Sequence, residues 1–203
     1  MQFIVITPPT FLPNEIEAIQ MLIAEGLTHL HLRKPQTSLA EMRAFLTQLP
    51  AACHANLILH QHHILAKDYE VKGLHFNQKQ PFSEGIEKPK NLSFSQTTHS
   101  LEELQHISPQ IDYVLLSPIF QSISKKNYPA AFTAEALKQY FQENQKVDFQ
   151  RIALGGIDEM TASIAIEYGF EGVAMLGYLW EDFEKNANCE EVLKKWQAIT
   201  KKA

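Results

Sequence analysis

Eight short β-branched or aliphatic runs punctuate the chain, at 3–7, 28–33, 56–60, 73–76, 92–96, 113–117, 151–154 and 172–176. Most are followed by a longer stretch in which apolar residues recur every three or four positions, the spacing of one helix face. These stretches lie at 14–25, 38–49, 64–69, 101–106, 133–141, 158–168 and 189–200. Strands joined through helices run parallel with right-handed crossovers, and eight such units can close into a (β/α)₈ TIM barrel. A doubly wound open sheet is the rival. It places a Gly-rich turn after its first strand, whereas here that strand ends in Thr7-Pro8-Pro9-Thr10. The expectation is an α/β chain forming a single TIM-barrel domain over residues 1–203.

Local chemistry agrees. Pro13-Asn14 suits a helix start, with Ile16, Ile19, Leu22 and Ile23 on one face. Ser38 and Glu41 have capping-box spacing, ahead of Leu39, Met42, Phe45, Leu46 and Leu49. Ser100 and Asp158 are further cap candidates.

Composition narrows the function classes. The 45% hydrophobic fraction is that of a packed domain, and the formal charge of −5 comes with no basic run longer than a pair, as at Lys194-Lys195 and Lys201-Lys202. This speaks against a nucleic-acid surface, while small anions, which need only a few local cations, fit. Cys53 and Cys189 match no zinc or redox spacing and read as reduced thiols. No apolar run is long enough for a membrane span, and Met1 leads straight into a strand rather than a basic leader. A cytoplasmic protein with no membrane or nucleic-acid partner is expected.

Barrel enzymes carry their chemistry at the C-terminal strand ends. The second strand closes with "HLHLRKP", where His29, His31 and Arg33 share one face and Arg33 offers a planar fork to phosphate. The third closes with "HQHH", where His60 and His62 point the same way if the strand continues. Two imidazoles can hold a transition metal, but a pair without a third ligand carries little weight, and no metal site is assigned. The fourth runs out into "GLHFNQKQ", which has the amides Asn77, Gln78 and Gln80 but no carboxylate. The fifth offers Thr97, Thr98 and His99 as anion contacts, a proton donor or a cap. After the sixth come Ser122, Ser124, Lys125 and Lys126, hydroxyls and ammonium groups able to wrap an anion. Gly155 and Gly156 follow the seventh strand and Gly177 the eighth, the two places where barrels commonly cradle phosphate on backbone N–H groups.

Taken in order, "HLRK", "GLHFNQ", "TTHS", "DYVLLSPIF" with "SISKK", "ALGGI" and "GVAML" resemble the thiamine phosphate synthase family and its TenI-type thiazole tautomerase relatives, from about residue 3 to 180. The resemblance implies a TIM barrel, usually dimeric, that joins hydroxymethylpyrimidine pyrophosphate to thiazole phosphate and releases pyrophosphate, with Mg²⁺ supplying much of the charge compensation. It implies that Arg33 contacts pyrophosphate, that Thr97, Ser122, Ser124 and Lys125 form the anion contacts, and that Gly155 and Gly156 hold the thiazole phosphate, with Gly177 standing where the family often has a serine. Arg33, Lys125 and His99 are the expected catalytic residues. His31, Lys34, His60, Gln61, His62 and Gln80 are expected substrate contacts.

The departures are equally specific. The family's "Asn-Asp-Arg" is His60-Gln61-His62 here, and its second magnesium aspartate falls at Gln80, so both carboxylates are amides, which are poorer Mg²⁺ ligands. The family lysine two residues past the arginine is Pro35, with Lys34 adjacent to replace it, and the tautomerase histidine aligns with Pro118. Three readings follow: a synthase in which His60, His62 and His63 compensate, a tautomerase with a histidine recruited from another strand, His99 or His62, and a non-catalytic binder of thiazole phosphate or thiamine phosphate.

Overall fold

The computed structural model describes residues 1–121 and 130–202. Eight parallel strands close into a barrel in sequence order, β1 (Gln2–Ile6), β2 (Leu30–Leu32), β3 (Leu57–Leu59), β4 (Gly73–Phe76), β5 (Ser93–Thr98), β6 (Tyr113–Leu116), β7 (Gln150–Leu154) and β8 (Gly172–Met175). Closure comes from β1 pairing with β8, Gln2 opposite Gly172 and Val5 opposite Met175. Gly172 is needed there, since a Cβ would lie 2.4 Å from the Gln2 carbonyl oxygen.

Outward residues such as Val5, Leu30, Leu57, Leu59, Phe94, Val114 and Val173 join the main core beneath the helices. These include α1 (Glu15–Ala24), α2 (Leu39–Gln48), α3 (Ala51–His54), α4 (Ala134–Glu143) and α5 (Thr161–Tyr168). The capping box on α2 is formed as its spacing predicts: Ser38 Oγ accepts from Glu41 N–H at 3.3 Å and Glu41 Oε2 accepts from Ser38 N–H at 2.8 Å. Asp158 Oδ1 likewise accepts from the N–H groups of Met160 and Thr161 at the start of α5. Asn14 does not cap. It sits at φ 59° and sends its side chain to the Ala187 carbonyl. Leu39, expected inside, is exposed.

Two expected helices are only 3₁₀ turns, His63–Lys67 and Glu103–His106. Each buries a single leucine, Leu65 and Leu104, too little apolar contact to hold a longer helix against its nucleation cost. After β8 come two single-turn helices that periodicity did not predict, α6 (Gly177–Trp180) and α7 (Phe183–Asn186), then α8 (Cys189–Lys202). Trp180 Nε1 donates to the Ile6 carbonyl and Trp196 Nε1 to the Glu25 carbonyl, so the C-terminal segment is tied back to β1 and α1.

Inside the barrel the lining is divided. Ile4, Ile6, Leu115, Ile152 and Ala174 make an apolar cluster on the β1, β6, β7 and β8 side. The β2 to β5 side instead carries His31, His60, His75 and Ser95, all buried. A TIM-barrel interior is ordinarily filled by branched aliphatic layers. Half of this one is polar.

Candidate active site

A cavity of about 810 Å³ opens at the C-terminal ends of the strands, within the range of small-molecule sites. Of the residues expected there, it is lined by Arg33, His60, Gln61, Gln80, Thr97, His99, Gly155, Gly156 and Gly177. Ser122, Ser124 and Lys125 lie outside the described residues.

Arg33 follows β2, where its backbone N–H donates to Thr7 Oγ1 at 3.0 Å. Among the described residues its guanidinium has no carboxylate within salt-bridge distance. Burial lowers its pKa, but arginine stays charged at any physiological pH. A half-buried, unpaired guanidinium beside a cavity is a strong anion contact.

Lys34 goes elsewhere. Its ammonium is fully buried away from the cavity, donating to the Pro8 carbonyl at 2.9 Å, the Thr10 carbonyl at 2.7 Å and Glu15 Oε1 at 2.6 Å. Its three donors are used, so the expected substrate contact is not made by this side chain. Burial raises the Glu15 pKa and lowers that of Lys34, each opposed by the attraction between them. At 2.6 Å, with two further carbonyls on the ammonium, we read the pair as ionised.

His62 is also displaced. It sits at φ 55°, which turns the chain away from the strand path, and its Nε2 contacts the Thr37 carbonyl at 2.6 Å. The expected pairing of His60 with His62 is therefore not formed. His60 instead meets His31, Nε2 to Nδ1 at 2.9 Å, and stacks on His75 with ring centroids 4.0 Å apart. His31 Nε2 is 2.7 Å from the Tyr113 hydroxyl, and His75 contacts Ser95 Oγ at 2.9 Å through Nδ1 and Thr97 Oγ1 at 2.8 Å through Nε2. His31 thus lies one layer beneath the cavity, while His60 and His75 form its floor.

Burial keeps these rings neutral. It holds His31 and His60 well below the usual imidazole range and His75 at about 3, with neighbouring histidines and Arg33 adding to the effect. Burial also pushes the Tyr113 phenol up, so it remains a neutral hydroxyl. His75, Ser95 and Tyr113 were missed as site residues. The available signal was that strands two, three and four each carry a histidine at an inward position.

The glycines after β7 are held open for a packing reason as well. Gly155 has φ 99° and Gly156 φ 65°, and a Cβ on Gly156 would lie 2.3 Å from the Gln121 carbonyl oxygen and 2.7 Å from Phe120 Cβ. His99 Nδ1 contacts the Ser117 carbonyl at 2.9 Å, which orients its ring at the rim.

Mg²⁺ does not fit this lining. Gln61 Oε1 already accepts from Lys34 N–H at 2.9 Å, and Gln80 offers only a neutral amide. Among the described lining residues the one carboxylate is Glu184, whereas a hard divalent cation calls for several charged oxygens.

A profile described as thiamine monophosphate synthase matches residues 3–179. The chain belongs to the thiamine monophosphate synthase family. A thiamine-phosphate synthase of Bacteroides thetaiotaomicron is 25% identical over 185 residues, covering 87% of this chain and 88% of that one. The crystal structure of a thiamine phosphate pyrophosphorylase from the same organism superposes with a TM-score of 0.85 at 32% identity, covering 100% of this chain and 97% of that one. A thiamine phosphate pyrophosphorylase from Pyrococcus furiosus, 20% identical with a TM-score of 0.70 over 98% and 96% of the two chains, shares the fold. Membership of the family places this barrel in thiamine biosynthesis, with a thiamine phosphate synthase-like function. Among the described residues no helix is long and apolar enough to cross a membrane.

Proposed function

We propose that this chain itself joins hydroxymethylpyrimidine pyrophosphate to thiazole phosphate within the mouth cavity, releasing pyrophosphate. The observation that carries the reading is the Arg33 guanidinium, without a carboxylate partner among the described residues, lining the same cavity as the Gly155-Gly156 turn and Gly177. Both anion-binding elements line one space of about 810 Å³. Arg33 takes the pyrophosphate and the glycine turns take the thiazole phosphate through backbone N–H groups, where no Cβ intrudes. The apolar wall of Ile6, Leu115, Leu154 and Ala174 receives the aromatic rings.

In the reaction the bond between the pyrimidine methylene and the pyrophosphate oxygen breaks, and its electron pair leaves with pyrophosphate. The electron-rich pyrimidine carries the cation, and the thiazole nitrogen then donates its lone pair to the methylene carbon. Arg33 stabilises the charge that grows on the leaving group, the term most worth supplying in such a step. The neutral histidines at the floor cannot neutralise the leaving group as imidazolium ions, since burial opposes their protonation.

The test is thiamine phosphate formation with and without Mg²⁺, with Arg33→Ala beside the wild type. Turnover that falls about 10²–10³-fold in the variant is expected. A folded wild-type protein that binds thiazole phosphate but forms no product would overturn the reading. That outcome would favour the second one, a binder that keeps the phosphate glycines, for which the amides at Gln61 and Gln80 speak.

A further inference from the structure

We propose that His31, His60 and His75 form a three-histidine site for a divalent transition metal of the zinc type, set in the floor of the cavity with one coordination position facing the substrate. One ring nitrogen from each of the three lies within 4.8 Å of the other two, and all three residues are buried. A tetrahedral ion with Zn–N bonds of about 2.0–2.1 Å needs nitrogens about 3.4 Å apart. The 2.9 Å contact between His31 Nδ1 and His60 Nε2 and the 4.8 Å outer limit bracket that separation, and because His60 and His75 are stacked with ring planes 25° apart, one of the two must rotate about its side-chain bonds for both lone pairs to meet one ion.

The fold builds this arrangement from backbone register. His31 stands opposite Ile58, and Ile58 opposite Gly73, so the three strands run level. His60 and His75, each two residues further along, therefore stand side by side on neighbouring strands, nearer the C-terminal mouth than His31. Outer partners of the kind that orient metal-bound imidazoles are present: Tyr113 on His31 and Ser95 on His75. Protons balance without a base. When the metal takes Nδ1 of His31, the ring proton moves to Nε2 and is donated to the Tyr113 oxygen, while the Tyr113 hydroxyl turns to Ser95. His75 gives up one of its two hydroxyl contacts.

The donor set selects the ion. Three neutral imidazoles suit Zn²⁺, Co²⁺ or Ni²⁺ and not Mg²⁺, which takes oxygen ligands. Three protein ligands plus an open position is the arrangement of catalytic rather than structural zinc. His60 and His75 both line the cavity, so the fourth position meets whatever enters it. An oxygen of a bound pyrophosphate is the ligand it would take, which rests on the function proposed above; the metal site itself does not.

The experiment is titration of the chelator-treated full chain with Co²⁺, followed by absorption spectroscopy, metal content after gel filtration, and thermal shift. One equivalent should remain bound with the intense visible bands of a low-coordinate nitrogen site, and the melting temperature should rise with Co²⁺. His60→Gln and His75→Gln should each lose the stoichiometric ion and the shift, while His106→Ala, an exposed histidine far along the chain, keeps both. Ser95→Ala and Tyr113→Phe should weaken binding about 10–100-fold, as loss of an outer partner does. A folded wild-type chain that retains no Co²⁺ or Zn²⁺, or retains it equally in His60→Gln and His106→Ala, would overturn the site. Inorganic pyrophosphate should alter the visible bands of the Co²⁺ form. Unchanged bands would discard the open position and leave the three-histidine site standing.

Discussion

Glu15 and Lys34 show what a single residue can conceal. In the sequence Lys34 stands next to Arg33 and reads as a second substrate cation, yet its ammonium runs back under the first loop to a glutamate on α1. Nothing in the spacing of the two residues announces the contact, because the fold alone brings β2 beside the start of α1. Removing one partner leaves the other charge buried and unpaired, a loss of about 3–5 kcal/mol. Glu15→Gln should therefore lower the urea midpoint strongly while leaving the cavity lining unaltered, and an unchanged midpoint would show that the ammonium finds sufficient partners in Pro8 and Thr10 alone. Gly156 makes the complementary point, since its place at the cavity was readable but its packing was not. Gly156→Ala must move the Gln121 carbonyl and hold alanine at φ 65°, a cost of about 3 kcal/mol or more. Thermal denaturation of the variant would measure it directly.

At the level of elements, the strands were the legible part. All eight lie where short β-branched or aliphatic runs placed them, because each is buried on both faces and must be continuously apolar or neutral. Helices were legible where they carry a full apolar face and a cap, as α2 does with Ser38 and Glu41. They were not legible where a few apolar residues imitate a face, as at His63–Lys67, or where a single turn is anchored onto the barrel by buried aromatic residues, Trp180 in α6 and Phe183 in α7. Ser38→Ala removes the side-chain acceptor of the capping box and should cost about 1 kcal/mol, read as a shift in the denaturant midpoint with an unchanged slope. The site shows the same division. The mouth residues follow from strand-end positions, whereas the histidine floor depends on inter-strand register, which periodicity within one strand does not contain.

The half-polar barrel interior has a consequence for the whole molecule. His31, His60 and His75 are held neutral by burial, with His63 and Arg33 as the further cationic or titratable neighbours that disfavour a charge on His60 and His75. In the unfolded chain the same imidazoles titrate near 6.5. Below that pH the unfolded state takes up protons that the folded state refuses, so stability is fully present above about 6.5 and falls as the pH drops toward the folded value, about 3 for His75. Each such histidine withdraws about 1.4 kcal/mol per pH unit inside that window, or on the order of 2 kcal/mol between pH 7 and pH 5. Urea unfolding of the metal-free protein, with chelator present, should therefore show a much lower midpoint at pH 5 than at pH 7. In His75→Gln the fall should be shallower, because one of the protonating groups is gone from the unfolded state. Equal midpoints at the two pH values would mean that the folded barrel accepts protons on this cluster, contrary to a neutral floor.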